Sequence, residues 1–168
     1  MMVQITSSTT LPRDFQLDGF IDLELARHTP LQVDALAMQE CLAQVGQNAA
    51  AATTGRWGEA LGHLLLQQHY PEYRVVWVNE SRESFWPFDV LVERGDGAQV
   101  FVEVKSTSRL DKEIIELSHK EWLFAQQHQD SYHILRVFGA QSDSPLCEII
   151  ENPFRLVSEG KLRICLRI

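Results

Sequence analysis

The sequence lacks any run approaching the roughly 20 apolar residues that a membrane-spanning helix needs, so no such helix is expected. Its first residues, Met1-Met2-Val3-Gln4-Ile5-Thr6, show no basic patch leading into an apolar stretch, and a secretory signal is not expected either. Cysteine is scarce. Cys41, Cys147 and Cys165 are odd in number, far apart and form no Cys-x-x-Cys pair. That argues against a zinc knuckle or a disulfide framework and for a reducing, cytoplasmic setting. Basic charge is also in short supply, with 15 Lys and Arg against 23 Asp and Glu, a formal net of −8. No segment compensates: residues 1–53 carry −4, residues 54–138 carry −4 and residues 139–168 are neutral. A protein that grips nucleic acid by bulk charge is therefore disfavoured. There is no internal repeat and no low-complexity tract. What is present, 168 residues with 45% hydrophobic and 23% charged, suits one folded domain with an extension rather than a disordered chain.

The pattern along the chain predicts a mixed α/β protein. Residues 1–28 show no clear period and are left unassigned. Thr29-Pro30-Leu31-Gln32 reads as a helix start, with Thr29 as cap, Pro30 in the first turn and Gln32 completing a capping box. The stripe Leu31, Ala35, Leu36, Met38, Leu42 and Val45 then carries this helix to Gly46. A second helix is expected from Thr54 to about His69, stopped by Pro71. Trp57, Ala60, Leu61, Leu64 and Leu65 form one stripe of it, while Leu66, Gly58 and Gly62 make a second apolar surface. A helix apolar on two sides is sandwiched, here between a sheet and the 29–46 helix. Three strands are predicted at residues 73–78, 88–93 and 100–105, the last two joined by Gly95-Asp96-Gly97. Ser118-His119-Lys120-Glu121 is a capping box opening a helix with Trp122, Leu123 and Ala125. A strand at 132–138, another at 147–150, a short helix after Pro153 and a last strand at 162–168 complete the chain.

The hairpin carries the chemistry. With its turn centred on Asp96, residues whose numbers sum to 192 face each other, so Asp89 lies opposite Glu103. Side chains alternate along a strand, which puts Asp89, Glu103 and Lys105 on one face and Val90, Val92, Val102 and Val104 on the other. Two carboxylates about 5 Å apart on an otherwise apolar surface repel each other and are stable there if they hold a cation. Oxygen ligands suit Mg²⁺, with Mn²⁺ as a substitute. Lys105 beside such an ion could orient water or stabilise charge on a phosphate, a combination suited to phosphodiester hydrolysis. The bland reading of Glu103-Val104-Lys105 is a surface ion pair of little energetic worth.

Asp89, the hairpin and Glu103-Val104-Lys105 resemble the PD-(D/E)xK signature of restriction-endonuclease-like proteins, whose helix, three strands, helix, strand core is similar to the predicted order. More narrowly, residues 54–153, 100 of the 168, resemble the nuclease-like domain at the C terminus of NO VEIN-type proteins. The resemblance rests on Gly55-Arg56-Trp57-Gly58-Glu59, Phe88-Asp89-Val90, Val102-Glu103-Val104-Lys105-Ser106, Leu117-Ser118-His119-Lys120-Glu121 with Ala125, Tyr132-His133-Ile134-Leu135-Arg136-Val137 and Asn152-Pro153. It implies a restriction-endonuclease-like core over residues 54–168, with residues 1–53 as an N-terminal helical extension. It also implies metal ligation by Asp89 and Glu103, a catalytic Lys105, and Glu59 as an additional acid at the metal. The proline expected just before the first acid is displaced, since Pro87 is followed by Phe88 and then Asp89.

Other residues attract attention with a plainer role beside each. His63, four residues after Glu59, reads as a partly buried helix histidine. Ser118 and Glu121 read as caps, with a secondary use of Ser118 at a phosphate. Arg109, Lys112 and Lys120 follow the active strand and are candidate backbone contacts, although each alone is more often a solvated base. Trp86 could stack a base, but core or rim packing is its ordinary role, and Arg82 shares its loop. The expected function is a Mg²⁺-dependent nuclease acting on nucleic acid, DNA first, in restriction, repair or mobile-element biology. A homodimer or a partner bound through the N-terminal region would supply the missing grip, and no membrane is involved. The alternative is a catalytically silent binding or scaffold module.

Overall fold

A computed structural model of the chain describes residues 2–5, 20–25, 29–31, 34–47 and 53–167. Two sheets and four α-helices make up the described fold. The larger sheet runs in the order β3 (Thr29–Pro30), β9 (Leu146–Glu151), β8 (Tyr132–Phe138), β6 (Gln99–Thr107), β5 (Val90–Glu93) and β4 (Arg74–Trp77). Its two-residue edge β3 aside, five strands form the body. The sheet is mixed: β6 and β8 are parallel, and every other pair is antiparallel. The smaller, wholly antiparallel sheet runs β1 (Met2–Ile5), β10 (Leu162–Arg167), β2 (Phe20–Leu25) and β7 (Ile114–Ser118).

The β5–β6 hairpin has the register that its sequence predicts, with Val90 opposite Val102, Leu91 opposite Phe101 and Val92 opposite Val100. Arg94 and Ala98 close the turn, and Gly97 adopts φ +83°, a conformation that only glycine takes up without strain. The alternation sorts side chains between two cores. Val90, Val92, Val102, Val104, Leu135 and Val137 pack with α1 (Ala35–Gly46) and α2 (Thr54–His69) on one face of the sheet. Tyr132, Ile134, Leu91 and Phe101 face the other way. They pack with α3 (His119–His128), α4 (Pro153–Ser158) and the smaller sheet.

α2 is buried on two sides, as its composition predicts. Thr53 caps it by accepting from the Arg56 amide. Its glycines let it lie close to β6: a Cβ on Gly58 would fall 2.3 Å from the Ser106 Cβ, and one on Gly62 would fall 3.1 Å from a Val104 methyl. Cys41 and Val45 of α1 close the same core from outside.

Two expectations are corrected. α1 begins at Ala35 with Asp34 as its cap, not at Thr29. Thr29 and Pro30 instead pair with Ile149 and Glu148 at the edge of β9, and the Leu31 amide donates to the Cys147 carbonyl. A residue preceding proline is pushed to extended backbone, and an edge strand tolerates the missing amide, so the dipeptide suits a strand better than a cap. Gln32 lies outside the described residues. Leu36, read as part of the buried stripe, is exposed. Between β6 and α3 the chain also inserts β7, which belongs to the other sheet and runs directly into the Ser118 cap.

Candidate functional site

Asp89 stands one residue before β5. Its amide donates to the Val102 carbonyl at 3.0 Å, and the Val104 amide returns a hydrogen bond to Oδ2 at 2.8 Å. The amide thus bonds to the residue opposite Val90 rather than to Glu103, so the regular ladder ends at Val90, and the carboxylate is fixed on the Val104 amide between Glu103 and Lys105. Glu103, in mid-β6, is only 6% exposed. Its Oε1 lies 2.7 Å from Lys105 Nζ, and the same ammonium reaches Glu121 Oε2 at 3.1 Å. Asp89, Glu103 and Lys105 are therefore gathered at one end of the hairpin.

Glu59 joins this group through an intermediary that the sequence pattern does not mark. Asn79, in the loop after β4 and 2% exposed, donates from Nδ2 to Asp89 Oδ1 at 2.8 Å and to Glu59 Oε2 at 3.4 Å. Asn79 Oδ1 accepts from both the amide and the hydroxyl of Ser84, at 3.0 and 2.6 Å, which fixes the direction of the amide group. Glu59 Oε2 also accepts from Trp77 Nε1 and Arg56 Nη1, each at 3.0 Å. Glu59 thus faces the site, with one oxygen fully engaged in holding it together. Among the described residues, no three His, Cys, Asp or Glu side chains converge into a single metal cage.

The electrostatics follow from burial with too little compensating charge. Desolvation, and then the charge of Glu59, push the Asp89 carboxyl up to about 7, while the Val104 amide and Lys105 pull it back. Desolvation likewise raises Glu103 well above the usual carboxylate range, against the pull of Lys105. Burial works against the charge of Lys105, but Glu103 and Glu121 outweigh it and hold the ammonium firmly protonated. Tyr132, wholly buried on β8, has a hydroxyl with no hydrogen-bond partner. Its acidity is suppressed by burial and then by Glu103, Glu121 and Asp89, which places the phenol in the field of the same acids.

Of the remaining sequence candidates, Ser118 caps α3 by accepting from the Glu121 amide, while Glu121 Oε2 accepts from the Ser118 amide. Glu121 has a second role that its capping position conceals: it is the other anchor of Lys105. Lys112 lines a cleft together with Lys105. Lys120 donates to the Phe85 carbonyl and borders a hollow walled by Phe85, Trp86 and Phe124. Trp86 is a rim residue, 61% exposed beside Phe85 at 76%. Arg109 is exposed and engages Asp111 through two hydrogen bonds, and Arg82 is exposed in the loop before Trp86. His63 is half-buried in α2 with Nε2 3.4 Å from the Val75 carbonyl, a helix histidine without metal company. All three cysteines are buried.

The family model for the C-terminal part of Protein NO VEIN matches residues 58–150, more than half of the chain and most of the span from α2 to β9, with Glu59, Asn79, Asp89, Glu103, Lys105 and Glu121 inside it. The chain belongs to the NO VEIN C-terminal family. Protein NO VEIN of Arabidopsis thaliana is 36% identical over 117 residues, which cover 69% of this chain and 4% of that protein. Protein NO VEIN-LIKE of the same plant is 34% identical over 117 residues, covering 69% of this chain and 18% of that protein. The NO VEIN-type domain described here thus spans a small part of the curated relatives it matches. No solved structure matches it. No helix among its described residues is long and apolar enough to cross a membrane.

Proposed function

We propose that this NO VEIN-type domain is a Mg²⁺-dependent nuclease of the PD-(D/E)xK kind, hydrolysing phosphodiester bonds in DNA in a restriction, repair or mobile-element setting. The observation that carries the reading is the Asp89 carboxylate held on the Val104 amide, between Glu103 and Lys105, with the Lys105 ammonium anchored on Glu103. The order α2, β4, β5, β6, α3, β8, with β7 of the other sheet inserted before α3, supports a restriction-endonuclease-like core.

The donor set fits a hard divalent cation. Asp89, part-buried, and Glu103, buried, are carboxylates whose ionised forms lack sufficient opposing charge, and a cation would relieve both. Asp89 and Glu103 would hold Mg²⁺ or Mn²⁺, with Glu59 at the edge of the site. Bound there, the ion supplies Lewis-acid polarisation of a phosphate and a more acidic water. The chain's own residues do the rest. Asn79 and the Val104 amide fix the Asp89 carboxylate, and Glu103 and Glu121 hold Lys105 charged. Lys105 stabilises negative charge developing on the attacked phosphate.

Incubating plasmid, single-stranded DNA and RNA with the protein and Mg²⁺, alongside Lys105→Ala, tests this reading. Cleavage by the wild type that the substitution abolishes is expected. Cleavage that survives it, or none on any substrate, rejects it. One observation favours a silent binding module as the second reading: Lys105 and Glu59 are already satisfied within the fold. Calorimetric titration with Mg²⁺ or Mn²⁺ separates the two, since absence of metal binding favours the module.

A further inference from the structure

An acidic chain that handles a polyanion needs a local source of positive charge, and β8 supplies one. Arg136 is the parallel-ladder partner of Lys105, so the two cations stand side by side on the same face of the sheet. Such a pair on adjacent strands is unfavourable without anions to offset it. Lys105 has Glu103 and Glu121. Arg136 is only 3% exposed; burial pulls its guanidinium down to about 10, and Glu148, its ladder partner on β9, pulls it partly back. Its Nη2 donates to the Lys112 carbonyl and its guanidinium lies 4.1 Å above the Phe138 ring, yet Nη1 is buried with no hydrogen-bond partner. A buried guanidinium nitrogen left unmatched is costly, and a fold retains it readily where a ligand completes it.

Arg136 forms part of the wall of a cleft of about 250 Å³ between the C-terminal half of β6 and β7. Lys105, Lys112, Ser106 and Thr107 share that wall, and Glu116 is its one acid. Three bases and two hydroxyls line it against one lining carboxylate; Lys105 is already paired with Glu103 and Glu121 and Arg136 stands beside Glu148, so Lys112 and the unmatched Arg136 Nη1 are what the cleft offers an anion.

We propose that this cleft is a phosphate subsite, taking a backbone phosphate of the nucleic acid next to the one presented to Lys105. This rests on the nuclease reading and adds where the polymer runs: from the Asp89–Glu103 site across Lys105 toward Lys112. Arg136 presents a planar, preorganised donor group, which suits the tetrahedral oxygens of a phosphate. Lys112 adds charge at the rim. A single β8 base thereby does what the overall charge of −8 forbids the surface at large to do.

The test measures DNA affinity of the full chain by fluorescence anisotropy in EDTA, over a range of salt, for the wild type, Arg136→Gln and Lys112→Gln. Each substitution is expected to weaken binding roughly tenfold and to lower the slope of log affinity against log salt by about 0.7–0.9, the value of one lost phosphate contact. Lys112→Gln leaves the carbonyl that receives Arg136 in place, and carries the test if Arg136→Gln does not fold. Wild-type affinity and slope in a folded variant overturn the subsite while leaving the nuclease reading standing. Failure of the wild type to bind or cut any nucleic acid overturns both. Inorganic phosphate is titrated in parallel: tight binding that Arg136→Gln abolishes, with DNA affinity unchanged, identifies a free-phosphate site and overturns the polymer path.

Discussion

Acidifying the metal-free protein should relieve it of a specific burden, and Asp89 shows how much. Its carboxyl stands at about 7 in the folded chain against an ordinary 3.8, chiefly because it is buried and secondly because Glu59 is near. A carboxyl raised on folding holds its proton more tightly in the native state. Its stabilising contribution is complete below the unfolded value and is lost as pH rises through the folded one, a window from about pH 4 to about pH 7. A shift of roughly three units at about 1.36 kcal/mol each makes the loss about 4 kcal/mol. His63 and His133 work in the opposite sense, because burial depresses both imidazoles and stability that depends on them falls as pH drops below the ordinary histidine range. The decisive quantity is therefore a difference of differences. Urea unfolding in EDTA at about pH 5 and about pH 7.5 is compared between the wild type and Asp89→Asn, which cannot titrate. The histidines cancel, as does the constant cost of turning an amide NH₂ toward the Asn79 or Val104 donor. The wild type should lose on the order of 2–4 kcal/mol more than the variant between the two pH values. Removing the Asp89 charge also lets Glu103 ionise more easily, which adds to the difference in the same direction. Equal pH dependence in the two proteins refutes the picture of carboxylates short of opposing charge, and with it the electrostatic case for a cation. Mg²⁺ should act in reverse, stabilising the wild type more at the higher pH, where its ligands are ionised.

Lys105→Met should cost about 3–5 kcal/mol in denaturant unfolding, since it strands Glu103 and Glu121 without their shared counter-charge. Activity of that variant is therefore meaningful only where circular dichroism shows a folded protein. Asn79→Ala removes four hydrogen bonds at the junction of Glu59, Asp89 and Ser84, and should lower stability by about 1–3 kcal/mol and metal affinity by about 10- to 100-fold in calorimetry. Tyr132→Phe deletes a buried hydroxyl that has no partner, so the metal-free protein should unfold at equal or higher denaturant, by up to about 1 kcal/mol. Gly58→Ala forces a Cβ against the Ser106 Cβ and should cost about 1–3 kcal/mol without altering metal binding.

The hairpin and its acids were legible because period, turn and register are local. Alternating valines set the faces and Gly95-Asp96-Gly97 set the register from Val90 to Glu93; the ladder ends there, because the Asp89 amide goes to the Val102 carbonyl and its carboxylate to the Val104 amide. Thr29 and Pro30 misled because a capping box is a local rule, and the edge of β9, over a hundred residues later, offers their backbone a better arrangement. β7 carries no expectation in the sequence reading, although Ile114-Ile115-Glu116-Leu117 alternates in burial, because its ladder partner β2 lies in the stretch without a clear period. Asn79 carries no pattern of its own: its importance exists only once α2 and the hairpin bring Glu59 and Asp89 to either side of it. Glu121 was hidden by a sufficient explanation, since its place in the box left no reason to seek a second contact. Arg136 did leave a signal, the one arginine in a strand buried end to end, and its meaning required knowing that β6 lies parallel beside it.

One oxygen of Glu121 receives both the Lys105 ammonium and the Ser118 amide. Ser118 is at once the cap of α3 and the last residue of β7, where it lies opposite Phe20 of the smaller sheet. A displacement of the lysine toward an incoming phosphate therefore does not stay local. It would free half of a shared acceptor, shift the balance of the first turn of α3, and load the end of the β2–β7 ladder in the smaller sheet. The Ser118 amide is a built-in gauge of this event: its solvent-exchange rate registers whether the lysine is parked or engaged, at a backbone position outside the proposed metal site.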